Sequence, residues 1–194
     1  MNKIIAITGI SGSGKTTLSK QLSTLLNAAI LSWDDFDPIS KYPDDYVLWE
    51  KAGKDYSQWD YPDLAKNLNA LKSNKITQHA TNHQIIYPTE FIIFDAPLGR
   101  LHMQTGQFID IAIHLNTPMD IALCRRLLRD FQNKETTKEE LMEEMCFYLS
   151  DSRSLFFDDE LKKHADLIVD GEKNVENQVI EVLVHLKNRL KSEN

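Results

Sequence analysis

The chain has 194 residues, with 22 Lys and Arg against 29 Asp and Glu, for a formal net charge of −7. That balance excludes a general nucleic-acid binder, whose affinity rests on cationic side chains that displace counterions from phosphate. Cys124 and Cys146 form neither a CxxC nor a disulfide framework, no apolar run approaches the roughly 18 residues of a membrane span, and the opening Met1–Ile7 is too short for a signal-peptide core. The expectation is one reduced, cytoplasmic domain over residues 1–194, with no nucleic-acid and no membrane partner.

Taken in chain order, Lys3–Thr8 (KIIAIT) is a continuous β-branched run and predicts a strand. A glycine-rich turn leads into a predicted helix over Lys15–Leu26, and Ala28–Ser32 predicts the second strand. The segment 33–61 breaks the alternation with all three tryptophans and many aspartates, and reads as a substrate-binding insertion. Asp63–Leu71 follows as a helix, with Pro62 in its first turn. His79 and His83 lie in a stretch read as a polar loop or hairpin, because no third metal ligand is near. Strands over Glu90–Asp95, Asp110–Leu115 and Asp166–Val169 alternate with helices over Met119–Phe131, Glu139–Leu149 and Val175–Leu190, leaving a polar tail from Lys187 to Asn194. Apolar runs without alternation belong to strands covered on both faces, so the fold class is α/β with a parallel sheet and right-handed crossovers.

Gly9-Ile10-Ser11-Gly12-Ser13-Gly14-Lys15-Thr16 fits G-x-x-x-x-G-K-[ST] in full, between a strand pattern and a helix pattern. Small residues let backbone N–H groups close around phosphate oxygens at the positive end of the following helix. The nucleotide contacts expected are Gly9, Ser11, Gly12, Ser13, Gly14, Lys15, Thr16 and Thr17, with Lys15 on the β and γ phosphates and the Thr16 hydroxyl on Mg²⁺. Rossmann spacing fails because Lys15-Thr16 follows Gly12-x-Gly14; a guanine reader fails at Thr136 of Asn133–Thr136; no LSGGQ-type signature occurs.

Ser32-Trp33-Asp34-Asp35-Phe36 follows the second strand at the ligand-binding edge of a parallel sheet, where Asp34 or Asp35 could take a proton from a substrate hydroxyl. Asp60 either reads sugar hydroxyls beside Trp59 and Tyr61 or caps the next helix. Asp95 ends the third strand like a Walker B carboxylate, a second metal-site residue beside Thr16, and Arg100 follows it as a phosphate contact or a solvated loop arginine. Arg125, Arg126, Arg129, Lys134 and Lys138 form a basic lid over about 125–138, with Arg126 and Arg129 favoured to surround the transferring phosphoryl group. Arg153 is a further substrate-side candidate.

These residues resemble the uridine kinase, phosphoribulokinase and nicotinamide riboside kinase group of P-loop kinases. The resemblance rests on Gly9–Thr17, Ser32–Phe36, Trp59-Asp60-x-Pro62, Asp95, Arg125–Arg129 and Ala165–Val169. It implies a P-loop NTPase fold, a five-stranded parallel sheet flanked by helices, with a short arginine-bearing lid. It further implies an ATP- and Mg²⁺-dependent transfer to the hydroxyl of a small metabolite, with a nucleoside as the leading class. By position, Asp34 looks like the base, Asp60 like the ribose-hydroxyl reader, and Arg126 and Arg129 like the lid arginines. Asp95-Ala96 stands where the family usually has Glu-Gly, and Trp33 where it has glutamine. A non-nucleoside acceptor, and an ATP-binding regulator that transfers nothing, are the rival readings.

Overall fold

The computed structural model describes residues 2–132 and 136–192. In chain order the elements are β1 (Lys3–Thr8), α1 (Lys15–Leu26), β2 (Ala29–Ser32), a 3₁₀ helix over Asp34–Ile39, α2 (Tyr46–Lys51), α3 (Pro62–Lys72), β3 (Thr77–Gln78) and β4 (Ile85–Ile86). They continue with β5 (Phe91–Asp95), α4 (Met103–Gly106), β6 (Ile111–Asn116), α5 (Met119–Phe131), α6 (Lys138–Phe147), α7 (Asp159–Lys163), β7 (Leu167–Asp170) and α8 (Val175–Ser192). β3 and β4 pair as an antiparallel hairpin, with His79 and His83 in its turn region. The five other strands form one parallel sheet in the order β2-β5-β1-β6-β7.

Both faces of this sheet are covered, which is why its strands read as unbroken apolar runs. Successive residues of a strand point to opposite faces. Ile4 and Ala6 accordingly pack with Ile92, Phe94 and the α3 residues Leu64, Leu68 and Leu71. Ile5 and Ile7 pack on the other face with Leu18 and Leu22 of α1 and Val179, Val182 and Leu186 of α8. Each fully buried Leu or Ile of this kind stabilises the fold by about 1.5–3 kcal/mol. The chain winds from β1 to β2 on one side and later to β6 and β7 on the other, so the loops after β1 and β5 part at the carboxyl edge of the sheet.

The opposite edge is fastened by charge. Asp110 accepts from the Ile4 N–H at 2.8 Å and from Lys72 Nζ at 2.8 Å. Asp166 accepts from the Ala112 N–H at 2.8 Å, from Arg189 Nη1 at 2.8 Å and from Arg100 Nη2 at 2.7 Å. Arg100 also donates to the carbonyls of His164 and Asp110, at 2.9 and 3.1 Å. The expected phosphate contact at Arg100 is thereby corrected: its long side chain turns back to a ring of acceptors that no other cation could satisfy with the same fork. The polar end is corrected as well, because α8 runs to Ser192 and uses Arg189 in this tie; residues 193 and 194 lie outside the described residues. Glu139–Leu149 is corrected at its end, where α6 gives way to a π-helical turn over Tyr148–Ser152.

Asp166 lies below the ordinary carboxylate range: burial pushes it up, but the Ala112 N–H, Arg189 and Arg100 outweigh burial. A carboxyl depressed on folding stabilises fully above its unfolded pKa of about 3.9 and loses that contribution as pH falls through its native value. Arg100→Gln is expected to cost about 1–3 kcal/mol of unfolding free energy at neutral pH. The deficit should shrink below about pH 4, as Asp166 takes its proton. Urea unfolding at the two pH values reads both quantities, and undiminished stability would refute the structural role.

Candidate active site

The phosphate loop is shaped by its glycines. Gly12 has φ +82°, and a Cβ there would lie 2.1 Å from the carbonyl oxygen of Ala122 on α5. Gly14, at φ +105°, is the N-cap of α1, and no side chain caps that helix, so its first-turn N–H groups remain aimed at the loop. The Ser13 carbonyl is held by Thr117 Oγ1 at 3.0 Å and Arg125 Nη1 at 3.4 Å, and the same Arg125 nitrogen donates to the Gly171 carbonyl at 3.2 Å. Arg125 thus braces the loop backbone, although it was the arginine least favoured by the sequence.

A pocket of about 450 Å³ lies over this loop, walled by Gly9, Ser11, Gly12, Gly14, Lys15, Thr16 and Thr17, together with Asp34, Asp95, Arg125 and Arg129. Thr16 Oγ1 donates to Asp95 Oδ2 at 2.7 Å, and Lys15 Nζ donates to the Ile10 carbonyl at 3.1 Å. Burial pushes the Lys15 ammonium below the ordinary lysine range, with Asp95 and Asp34 opposing and Arg129 reinforcing the shift. Burial likewise raises Asp95, against Lys15 and Thr16, and the carboxylates Asp34 and Asp35 push it further up. Among the described residues no three His, Cys, Asp or Glu side chains gather into a metal cage. The hydroxyl and carboxylate pair suits a hard cation that takes its remaining ligands from phosphate and water, as Mg²⁺ does.

The Asp34–Asp35 pair is separated by the 3₁₀ helix they open. Asp34 faces the phosphate pocket, whereas Asp35 Oδ2 lies 3.6 Å from His79 Nε2 of the hairpin, and His79 stacks on Phe36 with centroids 4.6 Å apart. Asp37, one 3₁₀ turn after Asp34, accepts from the buried Tyr61 hydroxyl at 2.6 Å. Burial raises Asp37, with Asp34 and Asp35 adding to the shift despite the Tyr61 bond. Asp37 was not singled out by sequence; the i, i+3 spacing from Asp34 was its only signal.

A second cavity of about 430 Å³ adjoins the first and shares Gly9, Ser11 and Pro97 with it. Tyr46, Trp49 and Tyr56 of the insertion form one side, and Phe147, Leu155 and Phe156 the other. Glu50 of α2 accepts from the Ser154 hydroxyl, tying the two sides together. Trp33 and Tyr61 serve the core instead, with ring centroids 4.1 Å apart and neither more than 3% exposed.

The remaining expected residues are distributed unevenly. Arg129 reaches the phosphate pocket, beside Asp130, which accepts from its Nε at 2.8 Å. Arg126 does not; it lines the aromatic cavity, its Nη2 2.7 Å from Glu144 Oε1 and its guanidinium 5.2 Å from the Phe156 ring centre. Asp60 lines neither cavity, and it is not the N-cap of α3: that position is Tyr61, and Gln104 bridges the two, donating to Asp60 Oδ1 at 3.0 Å and accepting from the Tyr61 N–H at 2.6 Å. Arg153 lines neither of these two cavities; it follows the π turn that buries Tyr148 and Ser152, and its guanidinium lies 5.4 Å from the ring centre of Phe157, which lines the aromatic cavity. Lys134, with the rest of 133–135 in the expected lid and guanine-reader segment, lies outside the described residues.

Known proteins bear on this geometry. The model of the phosphoribulokinase / uridine kinase family matches residues 4–177. A uridine kinase of Borrelia turicatae (strain 91E135) is 31% identical over 189 residues, covering 87% of this chain and 86% of that protein. A uridine kinase of Chlamydia pneumoniae is 28% identical over 213 residues, covering 98% and 93%. Among solved structures, shikimate kinase from Acinetobacter baumannii in complex with shikimate matches with a TM-score of 0.51 at 17% identity, over 98% of this chain and 96% of that one. A gluconokinase from Sinorhizobium meliloti 1021 matches with a TM-score of 0.53 at 15% identity, over 100% and 97%. These two likenesses establish the fold, and the family match establishes descent: the chain belongs to the phosphoribulokinase / uridine kinase family and is a small-molecule kinase of the P-loop class.

Proposed function

We propose that the chain transfers the γ-phosphoryl group of ATP, with Mg²⁺, to a hydroxyl of a nucleoside-like acceptor. The observation that carries this reading is a carboxylate, Asp34, in the same pocket as Lys15, Thr16 and Asp95, with the aromatic cavity next door. Polyphosphate is held by the backbone N–H groups of the loop and the α1 N-terminus, and Lys15 carries the compensating charge. Thr16 and Asp95 are the residues that would hold Mg²⁺, which supplies charge neutralisation on the phosphate oxygens when bound.

The aromatic walls at Tyr46, Trp49 and Phe156 suit a planar ring. Trp59 stacks on Tyr46 behind this wall with centroids 5.3 Å apart, whereas Asp60, which lines neither cavity and is held by Gln104, is assigned no contact with the acceptor. Asp34 takes the proton as the acceptor oxygen bonds to the γ-phosphorus and the bond to the bridging β–γ oxygen breaks, so ADP leaves with the displaced electron pair. Asp35, held toward His79, is the structural member of the pair.

Two kinetic results test the reading. Asp34→Asn is expected to lower turnover by about 10²–10⁴-fold with ATP affinity little changed, and Asp35→Asn to cost far less; equal losses would remove Asp34 from the role of base. Gly12→Ala places a methyl against the Ala122 carbonyl and is expected to abolish ATP binding in calorimetry, whereas retained affinity would show that the loop does not need this close approach.

A further inference from the structure

Three arginines sit on α5, and they do different things. Arg125 and Arg129 line the phosphate pocket, whereas Arg126 is turned into the aromatic cavity. What turns it there is Glu144 on α6, whose Oε1 lies 2.7 Å from Arg126 Nη2, with Phe156 under the guanidinium. Arg126 Nε and Nη2 are fully buried; Nη2 has the Glu144 carboxylate at 2.7 Å, whereas Nε has no hydrogen-bond partner among the described residues. A guanidinium with a desolvated, unpartnered donor gains from an anion that meets that donor as well. Its partner Glu144 sits on α6, a helix with no fully buried residue of its own.

From this arrangement, and resting on the kinase reading above, we propose that Glu144 is a positioning residue that keeps Arg126 on the acceptor side, away from the phosphates, while the acceptor cavity is empty. Arg126 and Glu144 both line the aromatic cavity, which adjoins the phosphate pocket at Gly9, Ser11 and Pro97, so an acceptor filling that cavity meets the Glu144–Arg126 pair. Released, the guanidinium adds its charge to the phosphate side only when a hydroxyl is present to attack. The reaction this suppresses is hydrolysis, in which a water oxygen bonds to the γ-phosphorus, the bond to the bridging β–γ oxygen breaks, and ADP and inorganic phosphate leave. Arginine charge at a transferring phosphoryl group accelerates such steps, so parking one arginine restrains them.

The test is acceptor-free ATP hydrolysis by the full chain, with ATP affinity measured alongside. Glu144→Gln is expected to raise hydrolysis roughly tenfold, within the usual range of coupling between two sites, with ATP affinity unchanged. Glu144→Asp, which keeps the charge, should stay near the wild-type rate, and Glu144→Gln combined with Arg126→Ala should lose the increase. Wild-type hydrolysis in Glu144→Gln, or an increase that survives removal of Arg126, overturns the proposal. If Glu144→Gln alone does not fold, Arg126→Ala and its combination with Glu144→Asp must hydrolyse at the same rate, and a difference between them overturns it equally. Failure of the wild type to phosphorylate any acceptor would count against the kinase reading instead, since the role of Glu144 is read without acceptor.

Discussion

The phosphate loop can exist in this shape only because it is pressed against the start of α5, with Gly12 in a left-handed turn over the Ala122 carbonyl. A side chain of any size at that point would push the loop off the helix. Thr117 and Arg125 then pin the Ser13 carbonyl from the same direction, so the N–H groups on the other side of the loop face the pocket. Backbone donors of this kind stabilise an anion well because they are already oriented before it arrives. Their rigidity comes from the sheet beneath, where Thr8 lies in register with His114 and hydrogen-bonds its ring at 3.0 Å.

Around this fixed loop the charges are crowded and mutually dependent. Lys15 is disfavoured as a cation by burial, Asp95 as an anion, and each partly rescues the other. Neither would hold its place alone at this depth, since an unpaired buried charge costs several kcal/mol. Asp34 stands near enough to influence both, which gives the site two carboxylates with separate partners: one hydrogen-bonded by Thr16, the other open to the pocket. The opposite edge of the sheet uses the same physics for a different end. There Asp110 and Asp166 accept from backbone N–H groups, Lys72, Arg100 and Arg189, and they hold strands together.

The five strands and the phosphate loop were legible because their signals are local: β-branched runs, glycine spacing, and a helix pattern at fixed distance. Element ends moved by one or two residues, as hydrogen bonding decides them. Asp34 could not be told from Asp35 by composition, because the difference is His79, which the hairpin brings across from a distant part of the chain. Arg100 follows a strand end just as a phosphate-binding arginine would; its acceptors come from the residues before β6 and β7, which no local pattern announces. The three arginines of α5 show the limit most clearly. Helical spacing puts them near one another, but the division of labour among phosphate loop, cavity and pocket is set by Ser13, Glu144 and Asp130.

The central claim is that the loop pocket and the aromatic cavity together move phosphate from ATP to a nucleoside-like hydroxyl. Its most direct test is a mass-spectrometric search for phosphorylated product after incubation with Mg·ATP and uridine, cytidine, nicotinamide riboside, pantothenate or sugar phosphates, with Lys15→Ala as the blank. The account predicts a product from a nucleoside that disappears in the blank. ATP binding without any phosphorylated nucleoside, or a product that persists without Lys15, would contradict it.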